Sequence, residues 1–572
     1  MALASKNFSE NPDWEVLPRN LEKENELIKA LSITPLTAHL LIQRGIDSPD
    51  LADKFLNPDW KDLPDLDQIP DMDRAVERLI QAFQKRERIL VYGDYDVDGI
   101  TATAQLLSFF EELGHPIESH IPHRIDEGYG LNIDSLKKIL AQKPVSLLVT
   151  VDTGTNAHQE IAYLKERKID VIVIDHHQTP ETRPPVIALL NPKLPGSRFQ
   201  EPVCSAGLVF LLLLSLRAEL RRRGFQATPN LRRYLDLACL GTIADIVPLT
   251  GVNRLLVKGG LKEIAETKRP GLIALLEKSQ TKPPLRIGSV SFRLIPRLNA
   301  AGRIANPNLA LELLLEKGWE RAELLADELE QLNRQRQKIE EDVLTEALQM
   351  LANNPSPKNG IVVAKSGWHL GVVGIVAARL VEKFNRPSIV LSLENGLGRG
   401  SARTVPGFSV YNALQQIKDL MVRFGGHHQA AGITLKEENL KTFSERFDQV
   451  TGSLLNSSPP RLSIDALISL QEINFSLVHE LSLLEPYGPG NHEPLFATHP
   501  VSFSACRIVG ENHLKGKLVQ NEAERETIGF DFGHYLKQAS SGLLHRIAFG
   551  IQTNHWNGID SIQLVLKEIN LI

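Results

Sequence analysis

Cysteine is scarce in this chain. The three thiols among 572 residues, Cys204, Cys239 and Cys506, are scattered, odd in number and apolar in context, which excludes a disulfide scaffold and predicts reduced packing residues. Long apolar runs are lacking as well. The longest, Ala206 to Leu214, is soon followed by Ser215 and Arg217, so it reads as a buried helix and not as a membrane span. No apolar signal segment opens the chain, and the expectation is a cytoplasmic protein without membrane attachment. Nor is there a surplus of positive charge: Lys and Arg number 64 against 69 Asp and Glu, a net charge of -5, which on its face argues against a nucleic-acid partner. The acidic total includes the carboxylates of any metal site, which bound cations neutralise, so the local distribution of charge decides.

What is present is size and a repeated pattern. With 42% hydrophobic and 23% charged residues the chain is globular, and at 572 residues it is too long for one ordinary core. Three runs rich in Val, Ile and Leu, starting at Arg88, Val145 and Asp170, suit strands buried on both faces of a parallel sheet. Each ends in acidic or imidazole side chains: Asp94, Asp96 and Asp98; Asp152; and Asp175, His176 and His177. Ligands of such folds bind beyond the carboxyl ends of the strands. So many like charges on one edge require cations, and two divalent metals are expected.

Alternate residues leaving a strand point the same way, so Asp94, Asp96 and Asp98 can share one side. The same letters open an EF-hand calcium loop. That reading fails at the twelfth position, where Gln105 stands in place of a bidentate Glu, and a strand precedes the loop where a helix is required. A solvated acidic turn is the plain reading of Asp94 to Asp98 alone; three such strand ends together argue against it. Two adjacent histidines after an apolar strand are more specific than a lone one. On an extended backbone their side chains diverge, one toward the metals and the other toward a substrate oxygen or the second metal.

Residues 1 to 75 are polar, contain prolines and carry no visible chemistry, with Thr34 to Leu41 as a short helix. From 76 to 310 strand and helix signals alternate: Gly99 to Leu113 has a helical apolar pattern stopped by Gly114, and Ala157 to Arg167 leads into the Asp170 strand, a βαβ organisation. Residues 316 to 352 hold no Gly or Pro after Gly318 and predict one long connector helix ending before Pro355. The unit at 359 to 450 starts with a strand at Gly360 and contains Gly371, Gly374 and the Gly425-Gly426-His427 turn. Between 460 and 572 five short β runs predict a small barrel of the oligonucleotide-binding type, where Lys515 and Lys517 could track a strand and Phe503 or Trp556 either stack bases or pack the core. The fold class is therefore α/β and multidomain.

Two groups of basic residues differ in kind. Arg221, Arg222, Arg223, Arg232 and Arg233 form a cluster for which a solvated face is at least as good a reading as DNA contact. Arg379, Arg386, Arg399 and Arg403 lie along a later region, and Arg403 sits in Gly398-Arg-Gly-Ser-Ala-Arg-Thr404, whose small residues let backbone amides, Ser401 and Arg403 approach one phosphate together.

Gly93-Asp-Tyr-Asp-Val-Asp-Gly99, His123-Arg-Ile-Asp-Glu-Gly-Tyr-Gly130, Val151-Asp-Thr-Gly154 and Asp175-His-His177 resemble the first four motifs of the DHH phosphoesterase superfamily, with Val97 in place of the usual Ala. Leu240 to Leu249, Pro296 to Arg303, Trp368 to Ala377, Gly425 to Gly432 and Glu485 to Asn491 narrow the resemblance to the RecJ family of single-stranded-DNA exonucleases, over nearly the whole chain. It implies a parallel-sheet DHH domain, a DHH-associated substrate-binding domain and an OB-like domain. It also implies that Asp96, Asp98, Asp152, His176, His177 and Asp245 carry two Mn²⁺ or Mg²⁺ ions, with Asp94 as an outer orienting group. Asp94, His123, Arg124 and His177 then form the catalytic group, while Arg124, Arg303, Ser401, Arg403, Gly426 and His427 hold substrate.

Carboxylate and imidazole ligands favour such hard cations, and the mechanism expected is phosphodiester hydrolysis in which two ions about 4 Å apart activate water and stabilise the leaving oxygen. The resemblance implies 5′ to 3′ digestion of single strands to 5′-mononucleotides in DNA repair and recombination, by a monomer, with single-strand-binding protein and a helicase as candidate partners. Two alternatives stand beside it: a DHH phosphodiesterase of short oligonucleotides or cyclic dinucleotides, and a non-catalytic replisome scaffold of the same fold. The long connector and the added C-terminal barrel argue against the first, the intact ligand set against the second.

Overall fold

The computed structural model describes residues 14–124, 126–128, 130–353, 359–454, 462–556 and 559–571. Of these, the residues within Leu66–Asp245 and Gly260–Ser458 form a larger compact unit, and those within Met1–Asp65, Ile246–Gly259 and Pro459–Ile572 form a smaller one.

The larger unit is built on a five-stranded, wholly parallel sheet in the order Glu118–His120, Ile89–Gly93, Leu147–Val151, Asp170–Ile174, Ala188–Leu190. The central strands are buried along their length apart from Asp170, which is why they read as unbroken aliphatic runs. Their register aligns Gly93, Val151 and Ile174, so Asp94, Asp152 and Asp175 leave the sheet from one edge. Helix Val97–Glu112 follows the first acidic turn, capped by Asp96, whose Oδ1 accepts from the Asp98 amide at 2.9 Å and the Gly99 amide at 3.2 Å. Gly99 permits this start, because a Cβ there would lie 2.6 Å from the Asp94 carbonyl oxygen. Helices Ser205–Arg222 and Leu235–Ala244 pack on this one.

The expected connector is a single helix, Trp319–Asn353, about 50 Å long at the α-helical rise. Beyond it a second five-stranded sheet runs Met421–Gly426, Ala430–Lys436, Leu397–Arg403, Ser388–Glu394, Ile361–Ser366, antiparallel except for the last pair. The Arg221–Arg223 cluster is a surface ion-pair network: Arg222 and Arg223 bind Glu219, Arg223 also Glu77, and Arg232 binds Glu263. Three of the five arginines are thus balanced by neighbouring carboxylates, in keeping with a solvated face, while Arg221 donates to the Thr228 hydroxyl.

In the smaller unit a seven-stranded sheet contains the five longer strands Ser502–Val509, His513–Gln520, Ala523–Gly529, Ile559–Leu571 and His545–Trp556, in that order across the sheet. An isolated antiparallel bridge between Val501 and His545 brings the two edges of this five-stranded part together. Its core is shared with helices Leu21–Leu31, Pro35–Gln43 and Pro49–Leu56 from near the N-terminus. Phe503 belongs to that core, 8% exposed and edge-on to His545 at 5.3 Å, so it packs the barrel and is withdrawn as a base-stacking residue. The Trp556 side chain lies outside the described residues. Lys517 pairs with Glu524 at 3.0 Å. Among the described residues no helix is long and apolar enough to cross a membrane.

Candidate metal centre and substrate cavity

The edge of the parallel sheet gathers three groups of possible metal ligands. Asp94, Asp96 and Asp152 form one, Asp152, His176 and His177 a second, and Asp98, His176 and Asp245 a third, each with ligand atoms within 4.8 Å of one another. Asp152 belongs to two of them, as does His176. The His176 Nε2 lies 3.3 Å from Asp152 and 3.8 Å from Asp98, and its Nδ1 lies 3.6 Å from Asp245. Asp245 arrives as the C-cap of helix Leu235–Ala244. Asp152 holds a positive φ of 62° directly after its strand, a conformation that costs energy and turns the carboxylate back over the edge.

Two carboxylates are fixed by the start of helix Ser205–Arg222. Asp98 accepts from the Ser205 and Ala206 amides, both at 2.8 Å, and the Ser205 hydroxyl donates to Asp152 at 3.1 Å. Ser205 was not among the residues expected here; its only mark in the sequence is a run of small residues opening an apolar helix.

The histidine pair departs from the expected geometry. The imidazoles do not diverge: their centroids are 4.7 Å apart and both face Asp152. Asp175 is the cause, because its Oδ1 accepts from the amides of His176 at 2.8 Å and His177 at 3.1 Å and folds the chain out of the extended form, while also binding His177 Nδ1 at 2.6 Å. Asp175 thus stands behind the ligands and orients His177. Burial alone would raise its pKa, but the His177 hydrogen bond and charge outweigh this and hold it below the ordinary carboxylate range. Burial likewise lowers the His177 imidazole less than Asp175 raises it, so its pKa stands above the usual value.

The other groups show the effect of crowding. Burial, then the charge of Asp96, pushes Asp98 up to about 6; burial and Asp98 push Asp245 up to about 9; and Asp94 and Asp152 stand well above the normal range through burial and neighbouring carboxylates in the same way. Burial and the neighbouring His177 press His176 down to about 3, which keeps its imidazole neutral and able to ligate. Asp94 Oδ1 is buried and, among the described residues, has no hydrogen-bond partner. An orphaned carboxylate oxygen among oxygen and imidazole donors fits a hard divalent cation. Asp94 also falls in a group whose atoms could hold an ion, whereas the expectation was an outer position.

Next to the acids lies a cavity of about 200 Å³ lined by Asp94, Tyr95, Asp96, Arg124, Asn299, Gly302 and Arg303. Arg124 stands over the Tyr95 ring at 5.2 Å. Arg303 donates to the Gly371 carbonyl at 3.2 Å, and burial followed by the fields of Arg124 and Arg336 pushes it down to about 10. Arg336, on the long helix, is held by Asn333 and Glu340. From the second sheet Arg403 donates to the Ser401 hydroxyl at 2.6 Å, with its pKa lowered by burial and by Arg124. Among the described residues no carboxylate is hydrogen-bonded to Arg303 or Arg403, although both side chains are half-buried. The ring of His427 stacks 6.2 Å from that of His177. The preceding Gly426 has a φ of 148°, and a Cβ there would strike the Ala430 carbonyl. The His123 Nδ1 lies 2.9 Å from Asp126 and its amide donates to Glu127.

A sheet edge crowded with carboxylates and imidazoles, beside a cavity lined by Arg124 and Arg303, is the arrangement of the DHH class of phosphoesterases. Residues 88–242 match the model of the DHH family, N-terminal domain, residues 358–453 that of the DHHA1 domain, and residues 464–568 that of the RecJ OB domain. The single-stranded-DNA-specific exonuclease RecJ of Bacillus subtilis (strain 168) is 35% identical over 567 residues, covering 97% of this chain and 70% of that protein. Crystal structures of RecJ from Thermus thermophilus superpose with TM-scores of 0.83 in complex with Mn²⁺ and 0.76 in complex with Mg²⁺. Their sequence identities are 32% and 30%; both cover 97% of this chain, and 79% and 78% of those chains. The chain belongs to the RecJ family.

Proposed function

We propose that this chain is a single-stranded-DNA-specific exonuclease that works 5′ to 3′ and releases 5′-mononucleotides in DNA repair and recombination. The observation that carries the reading is the orphaned Asp94 oxygen beside the cavity shared with Arg124 and Arg303: a place for cations adjoining a place for phosphate. Asp94, Asp96, Asp98, Asp152, His176, His177 and Asp245 would hold two Mn²⁺ or Mg²⁺ ions. When bound, such ions acidify a water and stabilise charge on the leaving oxygen.

The chain's own residues do the rest. Asp96 and Asp98, tied to helix amides, and Asp152, tied to Ser205, keep their carboxylates in place. Asp175 fixes the orientation of His177 through Nδ1. Arg124, Arg303 and Arg403 with Ser401 hold phosphate oxygens by charge-assisted hydrogen bonds, with His427 and the Gly426 backbone on the same side. Action as a monomer, with single-strand-binding protein and a helicase as partners, rests on the family resemblance alone, and action in the cytoplasm on the sequence reading.

The test is digestion of a single-stranded DNA labelled at either end, with Mn²⁺, Mg²⁺ or chelator, comparing the native chain with Asp98→Ala. The 5′ label should leave first, with chelation abolishing the reaction and the substitution slowing it roughly 10³-fold or more, the scale for loss of one member of a concerted set. Binding without metal-dependent cleavage would establish a scaffold instead, and cleavage of dinucleotides only would establish a short-substrate phosphodiesterase.

A further inference from the structure

Between Glu277 and Glu312 the chain carries no carboxylate, yet it carries Lys278, Lys282, Arg286, Arg293, Arg297 and Arg303. Lys278 and Arg297 are neutralised by Asp327 and Glu330 of the long helix. Lys282, Arg286 and Arg293 are exposed and, among the described residues, form no ion pair; Arg293 donates to the Gln280 carbonyl at 3.0 Å.

The stretch folds as one helical run, Ile287–Ser289 and Ile295–Ile304 joined by a π-helical turn at Val290–Leu294. The π turn packs against helix Leu235–Ala244, which ends at Asp245, and the far end of the run brings Asn299 and Arg303 to the cavity. Within the turn Val290 and Leu294 are buried. Midway between them Phe292 is 81% exposed, more than any other large hydrophobic side chain among the described residues. Turns of this kind are uncommon and are frequent at functional sites. A bare phenyl ring in a stretch of chain with three exposed cations that form no ion pair has the composition of a surface that stacks bases and tracks phosphates.

We propose that Phe292, with Lys282, Arg286 and Arg293 around it, is a stacking platform for a nucleobase of the single strand leading to the cavity. The proposal rests on the exonuclease reading and gives it a second substrate contact. Phe292 precedes Asn299 by two helical turns, about 10 Å, or roughly three nucleotides of stacked strand at 3.4 Å each. A dinucleotide in the cavity is too short to reach it. The ring therefore acts on longer strands only, as a specificity residue and not in the bond-breaking step.

The experiment uses the full chain. In an Asp98→Ala background, Phe292→Ala should weaken binding of an oligothymidylate of about twelve nucleotides roughly tenfold, the loss of one base–aromatic stack, and Phe292→Tyr should restore it. With the catalytic aspartate present, Phe292→Ala should raise KM for that oligomer while leaving dinucleotide cleavage unchanged. Replacing Arg286 and Arg293 by Ala should make the plot of log K against log salt shallower by about 1.4, or about 0.7 for each phosphate no longer neutralised. Native affinity in Phe292→Ala would overturn the platform, and so would native affinity in Phe292→Leu, which keeps apolar area without a ring. Absence of metal-dependent cleavage of single strands by the native chain would overturn the exonuclease reading instead, a separate result.

Discussion

Both units bury charge, and one cluster in the larger unit treats it in the opposite way from the smaller unit. In the smaller unit Arg254, 1% exposed, donates to the carbonyls of Phe55, Leu483, Leu484 and Glu485 at 2.8 to 3.1 Å and lies over the Phe55 ring. Glu24, equally buried, is held by Arg19 and by His39 at 3.1 Å. In the larger unit Asp94, Asp98 and Asp152 are buried beside one another, and Arg303 feels Arg124 and Arg336. Burying a charge is costly unless a partner compensates it. Where the chain supplies the partner, the charge is structural. Where it supplies like charges, the proposed function brings the partner from outside, a cation for the acids and a phosphate for the guanidiniums.

The contrast is sharpened most by removing its structural side. Arg254→Ala should destabilise the smaller unit by on the order of 3 kcal/mol, since four carbonyls lose a charged donor. Hydrogen exchange should quicken in helices Pro49–Leu56 and Phe475–Leu484, whose segments those carbonyls flank or end, while Mn²⁺ affinity is unchanged. Equal quickening in helix Val97–Glu112 would erase the distinction between the two kinds of buried charge. The complementary experiment adds the missing partner. At Mn²⁺ one hundred times its dissociation constant, the larger unit should gain about 2.7 kcal/mol by mass action, seen as slower exchange at the sheet edge and in helix Val97–Glu112. The gain should be absent in Asp98→Ala. Protection that is the same with Mn²⁺ and with chelator would mean that the acid cluster is structural after all.

The acidic strand ends were legible because a parallel sheet writes its central strands as unbroken aliphatic runs, so the residues that follow Gly93, Val151 and Ile174 stand out. The long helix was legible from what it excludes. Three other features escaped a linear reading for physical reasons. The smaller unit is assembled from three separated segments, and its strand His513–Gln520 alternates Leu514, Gly516 and Leu518 inward with lysines outward, a pattern in which Gly516 breaks the apolar signal. The convergence of His176 and His177 depends on one carboxylate capturing two backbone amides, which residue spacing does not encode. Arg336 was hidden in a helix whose composition is that of any solvated helix, though the residue itself is buried.

The smallest effect tests the structural side through pH. Burial alone would raise Glu24, but the Arg19 hydrogen bond and charge, with His39, outweigh it and leave its pKa below the ordinary value. A depressed folded-state pKa contributes stability that is present above the unfolded value of about 4.3 and is lost as pH falls through the folded one. Glu24→Gln should therefore be less stable than the native chain at neutral pH, with the gap closing progressively below about pH 4.3 as the native carboxylate takes up its proton. Urea unfolding of both proteins followed across that range checks the sign. A gap that stays constant with pH would show that Glu24 acts through shape and not through charge, and would place it outside the class of internally paired charges to which Arg254 belongs.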